Sequence, residues 1–210
     1  VAHILPSYAL ILGEHLRNMG EDPREFPLRI ALVGAEPYTE EFRRRIESLF
    51  DMKAYNSYGL SEMNGPGVAF ECLEQAGMHL WEDAYIPEIV DPETGQPVPE
   101  GQVGELVMTC LCRQGMPILR YRTRDLTRFL PGVCGCGRMH RRMDRILGRA
   151  DDMFIIKGVN VYPMQVEQVI MTFPEVGQSY LIMLENHGIG DVMRVQVEVR
   201  DEFFVEDMRV

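Results

Sequence analysis

The sequence has no apolar run approaching the roughly 20 residues that a helix needs to cross a bilayer, so no membrane partner is expected. It has no basic excess either: 21 lysines and arginines stand against 32 acids, a net charge of −11. General nucleic-acid binders carry the opposite imbalance, so no nucleic-acid partner is expected. An anionic nucleotide remains allowed, because a few amides, cations and Mg²⁺ decide the local field. There is no internal repeat and no low-complexity tract. No charged-then-apolar signal segment opens the chain, and no histidine offers a convincing Ser–His–Asp arrangement. Five cysteines without such a signal suit a reducing cytoplasm, where clustered cysteines suggest metal before disulfide.

What is present is the composition of an ordinary globular protein, with 210 residues, enough for one or two domains with a real core. Fourteen methionines read as core filler. The chain opens on the apolar stretch Val1 to Leu5 and stops at Asp207 to Val210, in what reads as a helix start. Both ends are therefore expected to be cuts through a longer polypeptide.

Ser7 to Met19 has helical apolar spacing and is closed by Gly20. Leu28 to Val33 reads as a buried strand. Thr39 is an N-cap with Glu40 and Glu41 behind it, which predicts a helix to about Phe50. Lys53 to Tyr58 is the next strand, an α/β succession. After Gly59 the texture turns to short strands, with Tyr85 to Val90 and Val103 to Thr109 alternating around the turn cluster Asp91 to Gly95. A β-rich subdomain is expected over about 65–147. From 151 onward the pattern is β-α-β-β: a strand at Met153 to Lys157, a helix at Pro163 to Phe173 with Pro163 in its first turn, and strands at Gln178 to Leu184 and Val192 to Arg200 around Asn186-His187-Gly188.

Four segments could carry chemistry. In Tyr55 to Glu62 a strand runs into Gly59, which lets a ligand approach the backbone; Ser57 and Ser61 offer hydroxyls to phosphate, and Glu62 could hold Mg²⁺. A simple strand–turn fits the same residues. Gly34-Ala35-Glu36-Pro37 follows a buried strand, the usual ligand position in open α/β sheets, though most such loops only connect. In Tyr121 to Asp125 a strand-borne carboxylate could accept both ribose hydroxyls; taken alone, a surface salt-bridge strand fits better. Gly148 to Gly158 joins two textures and reads as a hinge, with Arg149 placed to reach an anion at the interface.

Together, in this order, the four segments resemble the AMP-forming acyl-adenylate superfamily, and specifically its phenylacetate–CoA ligase branch. The Tyr-Gly-Leu-Ser-Glu run continuing to Gly67, Gly-Ala-Glu-Pro, Tyr-Arg-Thr-Arg-Asp and the run Gly148 to Pro163 carry the likeness over nearly the whole chain. The resemblance implies the C-terminal part of a large ATP- and acyl-binding domain at 1–147 (an α/β layer plus a β-rich subdomain), a hinge at 148–152, and a truncated, mobile α+β domain at 153–210. It implies ATP, Mg²⁺ and CoA, and an aryl, phenylacetate-like acid that attacks the α-phosphate before CoA attacks the adenylate. By position, Gly34, Ala35, Glu36 and Pro37 would line the adenine, with Ala35 also near the acyl group. Ser57, Tyr58 and Gly59 would flank the nucleotide. Ser61 would touch phosphate and Glu62 hold Mg²⁺. Asp125 would bind the ribose, assisted by Arg149; Asp151 would be the hinge and Gly158 would sit beside pantetheine. Tyr58, Met63, Asn64 and Pro66 would border the acyl pocket. The family's Gly/Ser/Thr-rich phosphate loop and its C-terminal lysine are missing from the sequence as given, so this chain alone is expected to make no adenylate.

Cys72, His79, Cys134 and Cys136 could form a tetrahedral Cys₃His site for structural Zn²⁺, and related ligases carry similar residues there; reduced, partly buried thiols are the alternative. Cys110 and Cys112 read as ordinary strand residues. Two other functions stay open: a non-catalytic zinc-stabilised nucleotide-binding module, and an adenylating enzyme of the same branch that uses another acyl acceptor. A homodimer is also left open.

Overall fold

A computed structural model describes residues 1–157, 159–186, 191–200 and 203. The chain begins with a short strand, β1 (Ala2–Ile4), not anticipated from the apolar opening. Pro6 then starts helix α1 (Pro6–Asn18), where its missing N–H does no harm. Strand β2 (Ile30–Gly34), helix α2 (Glu40–Phe50) and strand β3 (Lys53–Leu60) follow. Thr39 caps α2, its hydroxyl accepting from Phe42 N–H at 3.2 Å. The helix ends at Asp51 in the left-handed region (φ 51°), which frees the chain to turn into β3.

The β-rich stretch supplies β4 (Gly65–Glu71), β5 (Met78–Leu80), β6 (Tyr85–Val90), β7 (Gly104–Cys110), β8 (Tyr121–Thr127), β9 (Phe129–Leu130), β10 (Arg142–Met143) and β11 (Gly148–Arg149). The last described part holds β12 (Phe154–Ile156), β13 (Val159–Val161), helix α3 (Pro163–Ile170), β14 (Val176–Asn186) and β15 (Asp191–Val199). Helix α3 stops three residues before Phe173, its expected end; β14 and β15 pair antiparallel as expected. The turn expected at Asn186-His187-Gly188 falls largely outside the described residues.

Two sheets organise the larger part. One is mixed, in the order β1-β2-β3-β4-β5-β10-β9, with β1, β2 and β3 parallel. The other is antiparallel, in the order β11-β8-β7-β6. Parallel neighbours need a crossover, and α2 provides it between β2 and β3. One core lies where α1 and α2 cover β2 and β3, built on Leu10, Val33, Phe42, Ile46, Leu49 and Phe50. Gly13 lets α1 approach α2 closely: a Cβ there would meet the Leu49 side chain at 2.2 Å. A second core, with Met63, Val68, Met78, Leu80, Leu106 and Met108, fills the β-rich part. This mixed architecture, α/β followed by α+β, is the expected fold class. Among the described residues no helix is long and apolar enough to cross a membrane.

Candidate active site

β2 ends at Gly34 opposite Ser57, and β3 runs three residues further to Leu60, so the loop leaving β2 opens beside the end of β3. A cavity of about 330 Å³ lies at this edge. Its wall includes Ala35, Glu36 and Pro37 from the first loop, Ser57, Tyr58 and Gly59 from β3, Asp125 from β8, and Arg149 from β11. Four segments that are remote in sequence thus share one concave space. A larger open groove, about 1320 Å³, lies between α1, α2 and the start of β14, and holds none of the motif residues.

Asp125 is the electrostatic centre of the cavity. Its Oδ2 accepts from the Tyr58 hydroxyl at 2.6 Å, and its Oδ1 from Arg149 Nη1 at 3.2 Å. Burial pushes its carboxyl above the ordinary range, against the lowering effect of these two donors. The Tyr58 phenol is raised in turn, by burial and then by the facing carboxylate. Arg149 also donates to both oxygens of Asp151, from Nε at 3.0 Å and Nη2 at 2.9 Å. That pairing holds Asp151 below the usual carboxylate value. Asp151 therefore has its charge already engaged.

The local backbone explains how Asp125 reaches the cavity. The pairing of β7 with β8 slips between Glu105 and Val107, so β8 bulges over Thr123 to Asp125. Arg124 lies at φ 68°, unusual for a residue with a Cβ. Glu105, fully buried, accepts from the Arg124 N–H at 3.1 Å and from Arg122 Nε at 3.1 Å. The Thr123 hydroxyl bonds Leu106 O at 2.9 Å. Nothing in the spacing of Glu105 marks it out, and the sequence reading passes over it.

Other motif residues lie elsewhere. Gly34 is packed against β3 and does not line the cavity; a Cβ there would lie 2.1 Å from Ser57 O. The Ser57 hydroxyl is turned to Val33 O at 3.5 Å. The Glu36 carboxylate is committed to the start of α1, accepting from Ser7 N and Oγ at 3.2 and 2.9 Å, which leaves its backbone to the cavity. Ser61, Glu62, Met63 and Pro66 lie outside the cavity wall. Met63 belongs to the second core at 1% exposure, and its carbonyl accepts from Tyr85 OH at 2.6 Å. Glu62 Oε1 accepts from Tyr121 OH at 3.0 Å, and its carbonyl from Arg113. Asn64 takes the left-handed turn after Met63, φ 72°. Gly158 lies outside the described residues. Arg145, Asp152, Pro163 and Met164 also line the cavity. Pro163 ends the hinge motif and so had a signal; Arg145 and Asp152 had none as ligand contacts.

Cys72, His79, Cys134 and Cys136 converge beside β4 and β5. Between Cys72 and His79 the chain turns back from β4 into β5, pairing Phe70 with His79. The four ligand atoms lie within 4.8 Å of one another. Cys72 and Cys134 sulfurs are 3.6 Å apart, and Cys136 Sγ is 3.4 Å from His79 Nε2. Burial lifts the Cys72 thiol to about 11, whereas the Arg138 backbone N–H brings Cys136 down to about 7. Burial lowers His79, favouring a neutral imidazole.

Residues 3–110 match the family model described as AMP-binding enzyme, and residues 158–210 match that of the AMP-binding enzyme C-terminal domain. A phenylacetate-coenzyme A ligase from Thermus thermophilus is 51% identical over 96% of this chain, which covers 45% of that protein. The chain thus spans about half the length of the curated relatives it matches. A solved 2-hydroxyisobutyryl-CoA ligase in its postadenylation state, in complex with 2-HIB-AMP, superposes at TM-score 0.89 with 30% identity, over 96% of this chain and 43% of that one. The same ligase with 2-HIB-AMP and CoA in the thioesterification state superposes at 0.69, over the same shares. With more than half of its residues in the matching family model and the motif segments gathered at one cavity, the chain belongs to the family of AMP-binding enzymes.

Proposed function

We propose that the chain carries the nucleotide half-site and the interdomain joint of an ATP-dependent, AMP-forming ligase that converts an aryl, phenylacetate-like acid to its CoA thioester. Residues 1–147 would be the end of the large domain, 148–152 the hinge and 153–210 the mobile domain. The observation that carries this reading is Asp125, held between Tyr58 and Arg149 in a cavity walled by the Ala35 to Pro37 loop. Its carboxylate faces a space where ribose hydroxyls can donate to it. The loop after β2 would receive the adenine, as ligands in open α/β sheets lie beyond the strand ends.

Acyl-adenylate formation moves charge on phosphate oxygens, so it needs positioning and fixed donors more than a side-chain nucleophile. Arg149 supports that role: clasped by Asp151 and Asp125, its guanidinium is fixed beside the cavity. Ser61 would donate to phosphate. Glu62 fits a magnesium ligand, because Tyr121 engages one carboxylate oxygen and no hydrogen bond is described at the other. Bound there, Mg²⁺ would neutralise phosphate charge.

The Cys₃His cluster fits structural zinc. With Zn–S near 2.3 Å and Zn–N near 2.0–2.1 Å, tetrahedral ligand atoms lie about 3.5–3.8 Å apart; the 3.6 and 3.4 Å edges come close to that, and all four atoms lie within 4.8 Å of one another. Its closed donor set leaves no position for substrate, so the role proposed is to pin β4 and β5 to the Cys134–Cys136 turn.

The test is an acid panel with the whole ligase that contains this chain, following pyrophosphate release and thioester formation. Aryl acids should support both. Pyrophosphate release without CoA consumption would favour another acceptor, and neither product with any acid would refute the ligase reading in favour of a binding module.

A further inference from the structure

We infer that Arg145 is a nucleotide contact: its guanidinium, held by Glu40, meets the base of the bound nucleotide. The inference deepens the nucleotide half-site of the ligase reading and rests on it.

Among the described residues two guanidiniums line the cavity, Arg145 and Arg149, and they differ in what is left to donate. Arg149 has all three nitrogens engaged, Nε and Nη2 with Asp151 and Nη1 with Asp125. Arg145 has one engaged, its Nη2, which donates to Glu40 Oε1. No hydrogen bond is described at its Nε or Nη1, so part of a planar five-donor fork is left over for a ligand.

The backbone of Arg145 is fixed on one wall. Its N–H donates to Asp144 Oδ1 at 2.9 Å, and its carbonyl accepts from the Thr127 hydroxyl at 3.2 Å. From there the side chain reaches to Glu40, the first residue of α2. Only Tyr38 and Thr39 separate Glu40 from the Gly34 to Pro37 loop, the wall expected to face adenine. The tether thus holds the guanidinium of Arg145 at the adenine side. Arg149 stands instead with Asp125, the residue proposed for the ribose.

Folding does not account for the tether. Arg43 is buried and already has Glu71 as its counter-ion at 2.8 Å. Glu40, 3.2 Å from the same Arg43 nitrogen, is a second acid that this cation does not need. The Glu40 side chain is 42% exposed and that of Arg145 23%, and pairs so open to water contribute little to stability. What the pair does is hold a long side chain in one place. An arginine fixed at one end loses less freedom when its remaining N–H groups meet a ligand. Purine ring nitrogens accept such donors, and a guanidinium plane also stacks on an aromatic face. Phosphate would suit the same fork; its position beside the adenine-side loop is what assigns it to the base.

The test uses Arg145→Ala, Arg145→Lys and Glu40→Ala in the whole ligase. Adenosine and AMP serve as separate probes in titration calorimetry, and Tm reads folding. Losing a hydrogen bond from a charged group lowers affinity on the order of tenfold. Arg145→Ala should weaken adenosine and AMP by that same factor, because a base contact is common to both. Arg145→Lys keeps the pair with Glu40 but not the fork. It should melt with the wild type and weaken both ligands by a smaller, equal factor, and it carries the test if the alanine variant fails to fold. Glu40→Ala, which leaves Arg145 untethered, should fall between wild type and Arg145→Ala. Loss for AMP alone would assign Arg145 to phosphate, and an arginine variant that binds both ligands as tightly as the wild type would leave the pair a structural role only; either result overturns the inference. If the variants respond as stated but no acid is joined to CoA, the ligase reading fails alone. A wild-type protein that binds neither ligand refutes the nucleotide half-site and this assignment together.

Discussion

Replacing Gly34 by alanine should cost more than its modest chemistry suggests. The residue is not in a positive-φ conformation, so alanine is tolerated by its own backbone. The obstacle is across the sheet. An added Cβ would sit 2.1 Å from Ser57 O and 2.7 Å from Ser57 Oγ, where contacts under 3.0 Å essentially never occur. β2 and β3 must then part by about 0.9 Å, which overpacks the sheet at about 1–3 kcal/mol. It also stretches one or two ladder hydrogen bonds worth about 1 kcal/mol each. Alanine returns about 0.4–1 kcal/mol by restricting the unfolded chain. The balance is a loss of about 2–4 kcal/mol. At about 2–4 °C per kcal/mol for a domain of this size, Tm should fall by about 5–15 °C. Gly115→Ala is the control, since its Cβ would meet nothing within 4 Å, and its Tm should hold or rise slightly. Near-UV circular dichroism melts of both variants decide the matter. A Gly34→Ala protein that melts with the wild type would refute the steric account of why glycine stands there.

Asp125→Asn should separate stability from ligand binding. The carboxyl is raised above its ordinary 3.8 by burial, so its stabilising contribution is complete below that value and is lost as pH rises through the folded value. The asparagine variant should match or exceed the wild-type Tm at neutral pH while losing nucleotide affinity in calorimetry; a lower Tm together with undiminished affinity would contradict both halves. Tyr58→Phe removes the 2.6 Å donor to Asp125. It should weaken nucleotide binding by roughly tenfold, as expected for a hydrogen bond to a charged group, and unchanged titration calorimetry would rule that donor out as a positioning group. Elemental analysis should find about one zinc per chain. A strong chelator or Cys136→Ala should remove it and lower Tm, and metal-free protein with unaltered melting would remove the zinc site.

The elements of the fold were legible wherever period and punctuation agreed. Thr39 with Glu40 and Glu41 announced α2, and Gly20 closed α1, because caps and stops are local chemistry. β1 was not legible: three residues before a proline carry too little period to read, and its pairing with β2 is a tertiary fact. At the site, the motifs identified Tyr58, Asp125 and Arg149, and the fold brings these three into hydrogen-bond contact. The resemblance could not show that the Glu36 carboxylate turns to Ser7, or that Met63 is core, because backbone direction decides both. Arg145 and Glu105 carried no signal at all. Arg145 pairs with Glu40 and Glu105 with Arg122, partners more than fifteen residues away, and single-sequence spacing cannot see such pairs.

Glu36 and Glu105 share a physical task. Two of the loops that form the cavity pass through the left-handed region at residues with a Cβ: Ala35 at φ 69° and Arg124 at φ 68°. Such positions cost on the order of 1 kcal/mol or more and persist only where surroundings over-determine them. Glycine would relieve both, but it would also release the loop. At each of these two joints a carboxylate supplies the missing constraint. Glu36, the neighbour of Ala35, is held by two donors of Ser7 at the start of α1. Arg124 has its own N–H held by the buried Glu105. The first tie fixes the wall expected to face adenine, and the second aims Asp125 at Tyr58 and Arg149.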